Sequence, residues 1–152
     1  MIIGVDNNLY VNDKAKNVTF RSSNKPIQYC IIRVDKKFYN LEAVEGWEYH
    51  MEREGQILNA DSTKTYENRI LIGDENIYNN LDQRIKGVQT RKDSCIARDM
   101  ILTASSSFFR NLSKGDFEKW LSLNVEWLKK NYGDNCIYAV LHMDESTAHI
   151  HV

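Results

Sequence analysis

Proline is nearly absent from this chain, and its single occurrence, Pro26, marks a break in regular structure just ahead of the first strand-like run. Cysteine is scarce too: Cys30, Cys95 and Cys136 are odd in number and far apart, which excludes a disulfide framework and gives no encouragement to a thiolate zinc site. There is no long apolar run. Stretches such as "CII" and "YAVL" are far too short to span a bilayer, and "MIIGV" at the start lacks the apolar core of a secretory signal, so a cytoplasmic protein without a membrane segment is expected. Excess charge of either sign is lacking as well. At a formal net charge of -1, nucleic acid cannot be held by bulk charge and would need a local basic surface. What remains is 152 residues, 42% hydrophobic and 27% charged, enough for one domain with a core.

Residues 1–27 are polar and form an expected N-terminal extension, with the domain proper at 28–152. "QYCIIRV" from Gln28 has the composition of a core strand. "LEAVEGWEYHMEREG" sets Val44, Trp47 and Met51 at helical spacing, with Gly46 weakening the helix. Residues 56–73 are polar and carry no clear assignment. "DENIYNNLDQRIKG" predicts a short amphipathic helix behind a possible Asp74 cap, and "CIARDMILT" a strand. The clearest helix is "SKGDFEKWLSLNVEWLKKNYG". Ser113 stands three before Asp116 as a cap, Gly133 lies beyond the end, and Phe117, Trp120, Leu121 and Leu128 share a face with core-like spacing. "CIYAVLHMD" and "AHIHV" give two strands joined by a turn through "EST". Strands carrying histidines are ordinarily followed by further packing elements, so the domain is expected to be incomplete at its C-terminal end.

The chain has four histidines, and three lie in "HMDESTAHIHV". Residues two apart on a strand share a face, so His149 and His151 present paired imidazoles while Ile150 turns the other way. His142 closes the preceding strand, and a tight turn brings it beside the pair. Three neutral nitrogens can hold a divalent ion and leave coordination positions open. An HxH on a strand is often only a polar face, and it is the third histidine at the matching strand end that favours metal. Glu145 is a candidate fourth ligand or an orienting partner, and Asp144 the same or a turn cap. His50, alone in "YHMER", reads by itself as a partly exposed polar side chain.

"HMDESTAHIHV" resembles the HxDEsTPHxH motif of the MobV relaxases, plasmid mobilisation and recombination proteins of the HUH endonuclease superfamily, with Ala148 in place of proline. The resemblance runs back through "KKNYGDNCIYAVLH" and "RKDSCIARDMILT" to "YHMEREG", about 28–152. There the family's HNxR motif matches His50, Met51, Glu52 and Arg53, methionine standing where the family has asparagine. It implies His50 as nucleophile, Arg53 as a phosphate-facing or positioning residue, His142, His149 and His151 as metal ligands, and Glu145 as a weaker fourth. It implies an α+β fold with a largely antiparallel sheet, an HUH relaxase-like core and flanking helices, its central strands carrying the histidines and the helix from about 114 to 131 behind them.

The implied activity is site- and strand-specific DNA nicking and joining in plasmid mobilisation or recombination, through a covalent 5′-phosphohistidine. Mn²⁺ or Mg²⁺ is the expected ion, although three imidazoles bind Zn²⁺, Ni²⁺ or Co²⁺ at least as readily. The expected partner is single-stranded or hairpin DNA at a transfer origin, with a possible dimer through a region beyond Val152. Free-imidazole pKa values near 6.5 set an expected loss of activity below about pH 6. Tyr49 is a competing nucleophile. Arg84, Lys86, Arg91 and Lys92 are the candidate DNA-facing patch, and such a cluster is also what an ordinary solvated surface presents. Two other functions stay open: a metal-dependent phosphodiesterase in which water attacks, leaving no adduct, and an origin-binding module that binds without nicking.

Overall fold

The strand expected at "QYCIIRV" runs well past it. In the computed structural model, which describes residues 9–10, 17–20, 28–55 and 57–152, it spans Gln28–Phe38 as β3, preceded by β1 (Leu9–Tyr10) and β2 (Asn17–Phe20). There follow α1 (Leu41–Met51), β4 (Arg69–Ile72), α2 (Ile77–Ile85), β5 (Ala97–Ala104), α3 (Ser106–Arg110), α4 (Lys114–Tyr132), β6 (Ala139–His142) and β7 (His149–His151). All neighbouring strands are antiparallel, in the order β1-β2-β3-β5-β7-β6-β4. The fold is therefore α+β, with a largely antiparallel sheet flanked by helices. Most of the expected extension at 1–27 lies outside the described residues, but β2 pairs with the first half of β3, Val18 opposite Cys30.

Strand alternation sorts the side chains into two layers. Leu102, Ala139, Leu141 and Ile150 point to one face, where Leu121 and Leu128 of α4 bury against them and Phe117 and Trp120 pack alongside. The stripe read from the sequence is thus a core stripe. Tyr138 and Val140 point to the other face and pack with Val44, Trp47 and Met51 of α1 and Ile77 and Leu81 of α2. Ser113 caps α4 as expected, its hydroxyl accepting from the Asp116 amide at 3.1 Å. The cap of α2 is Asn76 and not Asp74, whose carboxylate instead accepts from the Asn76 amide and the Asn80 side chain just inside the turn. Gly46 does not stop α1, because nothing lies within 4 Å of its missing Cβ and it sits on the exposed face.

Gly73 links β4 to α2 at φ +77°, and a Cβ there would stand 2.3 Å from the Ile137 carbonyl oxygen. Gly87 has a similar φ of +80° and open space. Both substitutions to alanine incur the left-handed strain of about 1–2 kcal/mol, but only Gly73→Ala adds a backbone overlap, for a total of about 2–4 kcal/mol. Urea midpoints of the two variants should differ in that order.

Candidate metal centre

The three C-terminal histidines converge because of register. His142 at the end of β6 lies directly opposite His149 on β7, and His151 lies opposite Val140, so all three imidazoles emerge on the α1 side of the sheet. Their ring centroids are 5.3 Å apart for His142–His149 and His142–His151, and 4.9 Å for His149–His151. One nitrogen from each lies within 4.8 Å of the others. Three nitrogens bound at about 2.1 Å to one ion stand roughly 3.0–3.6 Å apart, so loading the site would draw the rings closer together.

Each ring has its other nitrogen committed to an acceptor. His149 Nδ1 is 2.9 Å from the Thr147 carbonyl, His151 Nδ1 is 3.3 Å from Asp99 Oδ1, and His142 Nε2 is 3.3 Å from the Met51 carbonyl. A carbonyl or carboxylate can only accept, so these nitrogens carry the protons, which leaves lone pairs on His142 Nδ1, His149 Nε2 and His151 Nε2. His142 Nδ1 is fully buried with no hydrogen-bond partner among the described residues. A buried acceptor without a donor costs stability, and a cation removes that cost. The donor set therefore fits a divalent metal.

Burial first, then the Arg53 charge and the neighbouring rings, push the His142 pKa down to about 3. Burial and His151 likewise lower His149, although the Thr147 carbonyl pulls the other way. Imidazoles that resist protonation only in the folded state bind fewer protons than the unfolded chain between about pH 3 and the ordinary value of 6.5. Stability of the metal-free chain should accordingly fall as pH drops below 6.5, and Asp144, whose carboxyl is held at about 2 against an ordinary 3.8, adds to the loss below pH 4. Urea titrations from pH 7.5 to 4.5 test this; a flat profile contradicts it.

His50 lies on the last turn of α1, half-buried. Burial lowers its pKa, Arg53 and His151 lower it further, and Glu145 opposes them, so its ring shares the electrostatic surroundings of the three clustered histidines, which favour its neutral form. Three contacts fix that end of α1. The Met51 carbonyl accepts from His142 Nε2, Glu52 accepts from Tyr138 Oη at 2.7 Å, and Arg53, turned into the left-handed region at φ 59°, reaches the turn between β6 and β7. The Met51 side chain is 3% exposed in the apolar cluster beneath, so the position where the family has asparagine is a core position in this chain. Tyr49 is exposed, its ring lying over Gly55.

Arg53 gives its Nε and Nη2 donors to carboxylates and turns Nη1 toward the His50 carbonyl at 3.4 Å. Its Nε and Nη2 donate to the two oxygens of Asp144 at 3.0 and 2.8 Å, and Nη2 also donates to Glu145 Oε1 at 2.8 Å. Asp144 is fully buried and accepts further from Thr65 Oγ1 at 3.1 Å and Asn68 Nδ2 at 2.8 Å. Burial pushes its pKa up, but these four donors outweigh burial and keep it ionised. Asp144 is thus committed to Arg53, Thr65 and Asn68, three of its four donors falling on Oδ2, whereas Glu145, 3.9 Å from His149 Nε2, stands beside the candidate site. Arg53 joins His50's helix to the histidine turn.

Arg84, Lys86, Arg91 and Lys92 are all exposed, in the segment from the end of α2 to the approach to β5. Arg84 donates to Asn135 at 2.7 Å. That segment enters β5 at Ala97, four residues or ~13 Å along the strand from Ile101, the partner of His151, so the patch is not brought together with the histidines. Asp99, Thr65 and Asn68 were not singled out from the sequence. A carboxylate inside the strand-like "CIARDMILT" is the one signal that pointed to Asp99; Thr65 and Asn68 meet Asp144 across more than seventy residues and leave no local trace.

Residues 27–152 match the family model described as plasmid recombination enzyme (Mob_Pre). Over 136 residues the chain is 32% identical to plasmid recombination enzyme type 3 of Staphylococcus aureus, covering 82% of this chain and 33% of that protein. It is 27% identical over 135 residues to the plasmid recombination enzyme of Bacillus thuringiensis, covering 82% and 30%. The chain thus spans about a third of the length of these curated relatives. Among solved structures, the relaxase domain of MobM, Mn-bound and in complex with plasmid pMV158 oriT DNA, superposes with a TM-score of 0.70 at 23% identity, over 80% of this chain and 67% of that one. That likeness establishes a common fold. No helix among the described residues is long and apolar enough to cross a membrane.

Proposed function

The chain belongs to the plasmid recombination enzyme (Mob_Pre) family, the MobV relaxases, and from that premise we propose that residues 28–152 form a relaxase domain that nicks and rejoins one DNA strand at a transfer origin. The observation that carries this reading is the convergence of three unprotonated imidazole nitrogens beside a fourth, lone histidine. His142, His149 and His151 would hold the ion, with Glu145 within reach as a further ligand. A divalent cation bound there withdraws charge from the non-bridging oxygens of the scissile phosphate. Mn²⁺ or Mg²⁺ suits phosphate chemistry, and the structural relative MobM carries manganese with its oriT DNA.

His50 supplies the attacking lone pair. A bond forms from its imidazole nitrogen to phosphorus, the bond to the 3′ oxygen breaks, and the 3′ oxygen leaves as a hydroxyl once it takes up a proton. The product is a 5′-phosphohistidine, and attack by a 3′-hydroxyl reverses the step. Arg53 acts as a positioning residue, since Asp144 and Glu145 occupy its Nε and Nη2 while Nη1 reaches the His50 carbonyl at 3.4 Å. The working partner is single-stranded or hairpin origin DNA, in the cytoplasm.

The acid limb of activity should lie lower than the free-imidazole value suggests. Burial lowers His50, His142 and His149 together, so protons compete less for the nucleophile and for these two ligands than a free imidazole would allow. Single-turnover nicking measured from pH 7.5 to 5 should hold up through pH 6.

The deciding experiment incubates the chain with Mn²⁺ and a labelled single strand carrying its own origin, followed by denaturing electrophoresis. Cleavage with a protein-linked strand supports the proposal; cleavage without a linked strand points to attack by water, and binding without cleavage to an origin-recognition module. Asp99→Ala should raise the Mn²⁺ dissociation constant about 10- to 100-fold by freeing the His151 ring, as seen by calorimetry.

A further inference from the structure

The segment 57–68 between α1 and β4 is largely irregular, yet it is tied to the histidine turn at four points. The Asp61 amide donates to the Asp144 carbonyl at 2.7 Å, Thr65 Oγ1 and Asn68 Nδ2 donate to the Asp144 carboxylate, and Asn68 Oδ1 accepts from the Met143 amide at 2.7 Å. Within it, Asp61 accepts from both the amide and the hydroxyl of Thr63, and a 3₁₀ turn spans Thr65–Glu67. The segment is a strap laid across the turn that joins the metal histidines.

Two large side chains point away from that anchorage. Leu58 is 92% exposed and Tyr66 83%, the two most exposed large hydrophobics among the described residues. Tyr66 sits between Thr65 and Asn68, both locked onto the turn, so the ring is offered to solvent from a preorganised backbone. The other exposed tyrosines lie outside the strap and are less exposed: the Tyr49 ring lies over Gly55, the Tyr132 ring packs edge-on to Trp127, Tyr39 stands just past the end of β3 at the sheet end away from His142 and His149, and Tyr29, on β3, is 37% exposed. Lys64 adds a cation beside the ring, though it also pairs with Asp61 at 3.5 Å.

We propose that this strap is a reading element for unpaired DNA, with Tyr66 stacking on a base a few nucleotides from the scissile phosphate and Leu58 packing against a neighbouring base or sugar. The inference rests on the relaxase reading, because it is the phosphate at the histidine centre that brings a single strand alongside the strap. A nucleobase is the chemistry that fits: a flat, partly hydrophobic ring meeting an exposed aromatic on a rigid mount, in a sequence-tolerant contact that needs no buried hydrogen-bond donors.

The test uses random-sequence 30-nucleotide single strands with scattered 5-iodouracil, whose ultraviolet crosslinking favours stacked aromatic side chains, together with equilibrium binding of the same strands without iodine. Wild type should crosslink through the tryptic peptide Thr65–Arg69. Tyr66→Ala should weaken binding about 5- to 150-fold, the equivalent of losing one stacked base, while Tyr66→Phe keeps the affinity. Tyr39→Ala should leave it unchanged. Mn²⁺ affinity of Tyr66→Ala should equal that of wild type, which excludes a disturbed histidine turn as the cause. If crosslinks fall elsewhere, or Tyr66→Ala binds as wild type does, the strap proposal is overturned while the relaxase reading stands. If wild type binds no single strand and leaves origin DNA uncut, both fail together.

Discussion

His50→Ala leaves no protein-linked DNA strand, and the rate of nicking falls by about 10⁴-fold or more, because no other side chain inherits the attack. The expectation follows from geometry as well as family. His50 is the one histidine outside the converging set, its ring is kept neutral by burial and by Arg53, and it shares its surroundings with His151. Metal affinity should be preserved in this variant, since the three ligating rings and their acceptors are untouched. Tyr49→Phe should leave the adduct intact: the Tyr49 ring lies over Gly55 on the exposed side of α1. An adduct that survived in His50→Ala and vanished in Tyr49→Phe would overturn the assignment. The measurement is a denaturing gel followed by mass spectrometry of the linked peptide.

Asp144→Ala should cost stability on the scale of losing a large core side chain. It strips Arg53 of a bidentate partner in a site where the arginine side chain is 6% exposed, and it leaves Thr65 and Asn68 without their acceptor. Breaking a buried ion pair from one side costs about 3–5 kcal/mol, and Glu145, which still accepts from Arg53 Nη2, sets the effect toward the lower end. For a domain of this size that lowers the melting temperature by roughly 6–20 °C. Asp144→Asn keeps the shape but loses the charge, and should fall between the two. Chemical unfolding with and without Mn²⁺ separates this effect from metal loss: the metal term is a linkage that grows with ion concentration, whereas the Arg53 deficit persists at saturation.

Much of the frame was legible because it is written in local periodicity. The α4 stripe, the Ser113 cap and the alternation His149, Ile150, His151 each depend on residues within a few positions of one another, and each is found in the fold. The four-residue strand β4 was not assigned: at the sheet edge it has too little alternation to read, and it is held by β6, some seventy residues away. The site was legible as a list of residues and much less as a set of relations. His142, His149 and His151 were grouped from spacing, and the fold brings them together. Arg53 and Glu145 were named for the site, but their bond to each other, and the buried Asp144 between the strap and α1, depend on segments that approach only in three dimensions. Asp99 was overlooked since a carboxylate in a strand announces burial only once its neighbour across β7 is known.

Because His142 pairs with His149, a cation held by the three imidazoles would also proofread the hairpin. A slip of one residue between β6 and β7 would turn one set of side chains over, sending the imidazoles of β7 toward α4 and Ile150 toward α1. Only the native alignment assembles three donors on one side, so a cation present during refolding selects that alignment against its misaligned competitors. Chelation during renaturation should then yield more misfolded chain than chelation afterwards.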